Sequence, residues 1–314
     1  MTVLDTKGTA GPDVVSAPTS RSAAAKKGLT SPWASLAALV IAVLWTIPTF
    51  GLFLSSFRPE RDVQRTGWWT FFANPIREDD GQAAANLTLE NYSDVLFGGS
   101  QPLAGFFVNS ILVTIPAVLI PIILGTMAAY GFAWTRFPLR DTLFVAIFAL
   151  QIVPLQVALL PLLEIFVGTG LNGTFWTVWI AHSTFALPLA IFLLHNSMRD
   201  IPVELVEAAR MDGAGHVRIF LTIMLPLMKP AIAAYAVFQF LWVWNDLLVA
   251  LVFAGGTADV APLTVRVAEL AGTRDSDWHL LASGAFVSIV IPLIVFLALQ
   301  RYFVRGLLAG SVKG

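Results

Sequence analysis

Glu207-Ala208-Ala209-Arg210-Met211-Asp212-Gly213, continuing to Ile223-Met224-Leu225-Pro226, lies in a polar interval between two long apolar runs. Its first half reads as a short amphipathic helix. Leu205, Val206 and Ala209 share one side at helical spacing, Asp200, Glu204, Glu207 and Arg210 lie toward the other, and Pro202 suits a first helical turn. Gly213-Ala214-Gly215 ends that helix, and His216 to Met224 is expected to start a second short one. The segment is too short and too polar to cross a bilayer, so its carboxylates call for water or a protein surface.

The rest of the chain is of another character. Of 314 residues, 57% are hydrophobic and 12% charged, about half the charged fraction of a water-soluble domain. The mean hydropathy is +0.76. This is the composition of an integral membrane protein. A formal net charge of -1 suggests no nucleic-acid partner, and the absence of cysteine excludes disulfides, thiolate catalysis and cysteine-ligated metals. Several of the ten Trp stand near the ends of apolar runs, as at membrane interfaces.

Six runs have the length of membrane spans, approximately 33–54, 107–133, 142–167, 174–195, 231–254 and 282–304, which predicts an all-α, six-span bundle embedded in the lipid bilayer. Residues 1–30 are small and polar and read as a disordered tail, with 31–314 forming the membrane domain. The run from Trp33 to Leu54 is too long for a signal-peptide core. Pro48, Pro116, Pro121, Pro154, Pro161, Pro188 and Pro292 fall within the spans. Each frees a backbone carbonyl that a neighbouring helix or a watery cavity must satisfy. Such kinks suit a bundle that encloses a path and moves, and they are also simply commoner in membrane helices.

Basic residues set the orientation. Lys7, Arg21, Lys26, Lys27, Arg136, Arg140, Arg199, Arg210, Arg218, Lys229, Arg301, Arg305 and Lys313 fall on the side of the N-terminus. Arg58, Arg61, Arg65, Arg77, Arg266 and Arg274 fall on the other. The bias predicts that both termini and the loop 196–230 are cytoplasmic. The outer segment 55–106 carries the aromatic Gly67-Trp68-Trp69-Thr70-Phe71-Phe72 and the acidic Glu78-Asp79-Asp80. Its aromatics either meet a partner or sugar ring or, the reading preferred here, pack on the membrane surface or their own loop. The outer loop 255–281 reads as solvated.

The full pattern from Glu207 through Gly213 to Ile223, Leu225 and Pro226 resembles the coupling loop of the permease subunits of binding-protein-dependent ABC importers. Ser56-Phe57-Arg58, Asn109-Ser110, Ala129-Tyr130-Gly131-Phe132, Pro154 with Pro161, Trp244-Asn245-Asp246 and the tail from Gln300 to Gly314 look like the carbohydrate-uptake branch, in particular the maltose-type second permease. The resemblance covers most of 105–314 and the first span.

It implies that Glu207 pairs with an ATP-binding subunit, that Ala208 and Ala209 allow close approach, that Gly213 permits the sharp turn, and that Asp212 belongs to the same coupling surface. It implies two ATP-binding subunits, a second homologous permease and an extracytoplasmic sugar-binding protein as partners, in a bacterial or archaeal cytoplasmic (cell inner) membrane. The tail 305–314, with Gly310, Lys313 and Gly314, would reach between the ATP-binding subunits. No enzymatic activity and no cofactor are expected of the chain itself. It lacks a G-x-x-x-x-G-K-[ST] phosphate loop, and its four His have no metal-ligand spacing.

Asp246, beside Asn245 and flanked by Trp242 and Trp244, is a carboxylate in an apolar span, and Trp242, Asn245 and Asp246 are candidates for the substrate path, suited to sugar hydroxyls and a sugar face. The alternative is structural: Asp246 holds a kinked helix or a subunit contact. Gly67-Trp68-Trp69-Thr70 resembles some α-glucoside importer subunits. Two other classes remain, an intramembrane enzyme pairing Asp246 with Glu164 and a stand-alone secondary transporter, although no internal repeat is evident.

Overall fold

In the computed structural model the described residues are 32–73, 87–254, 258–272 and 277–311, the last eleven by their backbone alone. The expected tail 1–30, the Glu78-Asp79-Asp80 cluster, Arg274, Lys313 and Gly314 lie outside them. The described residues are almost entirely helical: α1 (Pro32–Ser56), α2 (Glu60–Arg65), α3 (Thr70–Ala73), α4 (Glu90–Phe97), α5 (Leu103–Trp134), α6 (Arg140–Ala149), α7 (Leu155–Gly168), α8 (Phe175–Arg199), α9 (Val203–Met211), α10 (His216–Trp244), α11 (Leu248–Phe253), α12 (Leu263–Gly272) and α13 (Trp278–Ser311). Five of these are long and apolar enough to cross a membrane. The pair Arg140–Ile152 and Leu155–Gly168 counts as a sixth if read as one span.

Three of the expected spans differ in shape. The run 142–167 is broken by 101° just before Leu155. Pro154 cannot donate, and it holds the residue before it, Val153, at an extended φ -69, ψ 120. The run 231–254 begins earlier and ends earlier than expected. α10 starts at His216, passes through a π-helical turn at Phe220–Met224, and stops at Trp244. The second short helix expected from His216 is therefore the first turns of a span. The second span, α5, begins at Leu103, inside the expected outer loop 55–106.

Of the described residues, those up to 51 and those from 52 onward fall into separate compact units. In the larger, α5 runs the length of the core. Leu103 and Phe106 pack with Val95, Trp244, Leu263 and Leu270 at one end. Val113 and Ala117 meet Val178, Val249 and Phe253 in the middle. Ala129 and Tyr130 join Leu194, Met198, Val206, Ile219 and Met224 at the other end. α5 and α8 cross where Gly125 faces Ala190. A Cβ on Gly125 would come within 2.8 Å of the Ala190 Cβ, so the small residues set the spacing. Large apolar side chains such as Leu112, Ile115 and Leu119 on the far side of α5 are exposed, as a lipid-facing surface requires.

Hydrogen bonds tie down two described stretches between α1 and α5, around Arg58 and around Asn91. Asn91, 3% exposed, donates to the carbonyls of Ser56 at 3.0 Å and Arg58 at 2.7 Å. Ser283 of α13 donates to the Asn91 carbonyl. The buried Arg58 guanidinium donates to the Thr66 hydroxyl and the Gly67 carbonyl. Asn109 and Ser110 do the same for the stretch before α12: Asn109 donates to the Ala258 and Ala261 carbonyls, and Ser110 Oγ accepts from the Leu263 amide at 2.7 Å. Within the aromatic stretch, Trp68 and Phe71 are half-buried. Trp69 and Phe72 nonetheless remain exposed.

Candidate functional site

The helix carrying Glu207 sits at the Ala129 end of α5. Val206, 1% exposed, is its anchor, with Ala209 beside it against the ends of α5, α8 and α10. Leu205 differs from expectation: it is 45% exposed, because it stands one residue, about 100°, away from the anchor. Glu207, Ala208 and Asp212 are also exposed.

The turn after this helix is closed by two backbone bonds. The Gly213 amide donates to the Arg210 carbonyl at 3.0 Å, and the Ala214 amide to the Ala209 carbonyl at 2.9 Å. With Gly213 at φ +78 this is a Schellman cap, and Ala209 and Ala214 supply its apolar contact. A Cβ on Gly213 would meet open space, so the requirement for glycine is one of backbone conformation. The next helix is pinned by Tyr130, whose hydroxyl lies 2.8 Å from His216 Nδ1 and whose ring meets Phe220 edge-on. Ala129-Tyr130, singled out in sequence at the end of the second span, is therefore part of the seat of the helix.

The three residues Trp244-Asn245-Asp246 fall at the break between α10 and α11, and each has a structural bond. Trp244 is buried and donates its indole N–H to the Ser288 carbonyl at 3.0 Å. Asn245 is exposed and donates to the Leu241 carbonyl. Asp246 accepts from the Ala250 amide at 3.0 Å and the Val249 amide at 3.4 Å, capping α11, while its own carbonyl accepts from Thr264. His182 Nε2, deep in α8, approaches the Asp246 carboxylate at 3.7 Å.

Asp246 and Trp242 also line a cavity of about 700 Å³ between α7, α8, α10 and the turn Leu150–Ile152, with Gln151, Thr184, Phe185 and Gln239 among the other walls. Asn245 is not among them. Of the substrate-path candidates, Trp242 and Asp246 are on the cavity wall; Gln151, Thr184 and Gln239, uncharged residues with no spacing signal in the sequence, share it. Glu164, the other half of the carboxylate pair considered above, is not on this cavity. Among the described residues, no three His, Asp or Glu side chains could hold a metal ion.

Gln239 has a second task. Its Nε2 donates to the Ala117 carbonyl at 3.2 Å, which Pro121 leaves without a helical donor. Trp179 Nε1 donates to the Leu112 carbonyl, freed by Pro116, and the Ser288 carbonyl met by Trp244 is the one freed by Pro292. Three of the expected proline vacancies are therefore filled by side chains of neighbouring helices.

Residues 95–308 match the family model described as the binding-protein-dependent transport system inner membrane component. The chain is 52% identical to the osmoprotective compounds uptake permease protein of Synechocystis sp. over 88% of this chain and 91% of that protein. It is 38% identical to the alpha-glucoside transport system permease protein of Rhizobium meliloti, over 90% and 97%. It is 32% identical to the melibiose/raffinose/stachyose import permease protein of Bacillus subtilis, over 89% and 96%. Among solved structures, a bacterial ABC transporter that imports the acidic polysaccharide alginate aligns with a TM-score of 0.67 at 22% identity, over 87% of this chain and 98% of that one, which supports the fold.

Proposed function

The chain belongs to the family of binding-protein-dependent transport system inner membrane components, and from that premise we propose that it is the sugar-translocating permease subunit of an ATP-binding-cassette importer. The substrate class is an oligosaccharide or α-glucoside, in line with the α-glucoside and melibiose/raffinose/stachyose permeases it resembles. A different polyol or glycoside is the second reading, favoured by its similarity to a permease for osmoprotective compounds.

The observation that carries the reading is mechanical. α9 is anchored by Val206 on the ends of three spans and closed by a glycine cap, while Glu207, Ala208 and Asp212 stay exposed. A helix held that firmly on one side and open on the other passes on motion applied to its open side. ATP-driven closure of two partner subunits would push on 203–213, and the spans would rock between outward- and inward-open states around the cavity that Asp246 and Trp242 line. An external binding protein delivers the sugar, a second homologous permease completes the pathway, and the backbone helix reaching Ser311 carries the C-terminal segment toward the ATP-binding subunits. In this reading α9 and both termini lie on the cytoplasmic side of a bacterial or archaeal membrane, in line with the distribution of Lys and Arg along the chain. The chain supplies no ATPase chemistry of its own.

The test is co-purification with the ATP-binding subunits, followed by ATPase assay across a panel of oligosaccharides. Glu207→Ala is expected to abolish substrate-stimulated ATPase and uptake while membrane insertion is unchanged. Wild-type uptake in that variant, or uptake without any ATP-binding partner, overturns the coupling assignment.

A further inference from the structure

Near the same end of α5 as α9 lies a second cavity of about 500 Å³. Phe132 of α5, Arg140, Asp141 and Phe144 of α6, and His195 and Arg199 of α8 line it. A shallower recess lined by Arg136, Leu139 and Thr142 continues it through Arg140 and Asp141. Arg140 and Arg199 share the cavity with a single carboxylate, Asp141, and Arg136 adds a third cation in the adjoining recess. Asp141 is 86% exposed and bonds Arg140 at 2.8 Å, while Arg136 and Arg199 make no salt bridge among the described residues.

Two independent features point to an anion. Leu139 precedes α6 with φ +60, the one non-glycine residue in the left-handed region among the described residues, and no side chain caps the amides of that first turn. An uncapped helix start presents N–H groups to negative charge. Second, His195 is 7% exposed and lines the cavity, yet its buried Nδ1 has no hydrogen-bond partner. A buried nitrogen without a partner is the position a ligand oxygen would fill.

The other walls are apolar. The Phe144 ring lies 4.3 Å from the His195 ring, and Phe132 meets Phe144 edge-on. Outward along α6, Leu143 is 45% and Val145 65% exposed. A cationic recess at the start of α6, with the exposed apolar Val145 on its wall, matches a molecule with a phosphate at one end and acyl chains at the other. We infer that this cavity, between Arg140, Arg199 and His195, binds the phosphate of an anionic phospholipid from the cytoplasmic leaflet. The choice of leaflet rests on the orientation given above.

The full chain is purified in mild detergent and offered a mixture of phosphatidylglycerol and phosphatidylcholine, and retained lipid is read by native mass spectrometry. Wild type is expected to retain phosphatidylglycerol selectively. Arg140→Gln and Arg199→Gln are each expected to lower retention about fivefold, with Arg266→Gln, at a remote site, unchanged. If either of these variants does not assemble, the exposed Arg136→Gln, in the adjoining recess, serves in its place with the same expectation. Equal retention of both lipids, retention unaffected by these substitutions, or displacement of the lipid by excess inorganic phosphate each overturns the assignment; the last would mark a soluble-anion pocket. The measurement needs neither ATP nor sugar. Selective lipid retention in a chain that couples to no ATPase would therefore count against the importer reading alone, and substrate-stimulated ATPase without lipid selectivity against this inference alone.

Discussion

The indole N–H of Trp244 donates to the carbonyl of Ser288 at 3.0 Å, the carbonyl that Pro292 leaves without its helical donor. Gln239 does the same for Ala117, which Pro121 frees, and Trp179 for Leu112, which Pro116 frees. Each bond binds a proline-bearing helix to its neighbour, α13 to α10, α5 to α10 and α5 to α8. In a bilayer no water is at hand to fill such vacancies, so the bonds fix where the spans bend and which neighbour follows.

Gln239→Leu removes the donor to Ala117 and strands a buried carbonyl. A loss of about 1–3 kcal/mol is expected, seen as a lower unfolding midpoint in detergent. Pro121→Ala restores a helical N–H for the same carbonyl, so the double variant should recover part of that loss. Strict additivity of the two substitutions would show that the Gln239–Ala117 bond carries no stability.

At Gly213 the backbone holds φ +78 in open space, so the ranking of substitutions follows conformation rather than size. Gly213→Asn is expected to retain more uptake than Gly213→Ala, and Gly213→Val the least, since left-handed backbone costs an ordinary residue about 1–2 kcal/mol and asparagine less. Uptake rates normalised to membrane-inserted protein check the order. Equal rates for all three would show that the cap is dispensable.

Asp246 both caps α11 and lines the large cavity, and two variants separate the roles. Asp246→Ala loses the cap and is expected to lower stability by about 0.5–2 kcal/mol. Asp246→Asn keeps an acceptor for the Ala250 amide and should fold normally. If the carboxylate charge binds substrate, Asp246→Asn raises the KM for uptake severalfold; an unchanged KM assigns the residue to the cap alone.

Gly125 faces Ala190 with no room for a side chain. Gly125→Leu is expected to force α5 and α8 apart and to lower stability by about 1–3 kcal/mol, measured by thermal unfolding in detergent. Gly131, on the same helix with open space around it, provides the contrast: Gly131→Ala should be near neutral.

Much of this was legible in the residues. Length and apolarity locate the spans because the bilayer core demands them, and Glu207 to Gly213 marks its helix and cap because a left-handed C-terminal residue favours glycine. Pro154 was visible, but the 101° break before Leu155 was not, because the size of a kink depends on what packs against it. In sequence, Asn245 and Asp246 with their neighbouring Trp side chains could serve either a sugar or the fold. Trp244 is in fact committed to Ser288, and Asn245 to Leu241 on the exposed side. Linear order could not distinguish these roles, since Ser288 lies on another helix.

The sequence by itself determined an all-helical membrane protein, the prolines whose carbonyls needed partners, and the glycine-capped polar helix, all of which follow from local chain chemistry and hydropathy. Only the tertiary structure decided that Trp179, Gln239 and Trp244 are those partners, that Val206 rather than Leu205 anchors α9, and that Arg140, His195 and Arg199 share one recess. These are meetings of residues far apart along the chain, and they are fixed by how closely helices cross, which close packing sets and spacing along one strand of sequence does not encode.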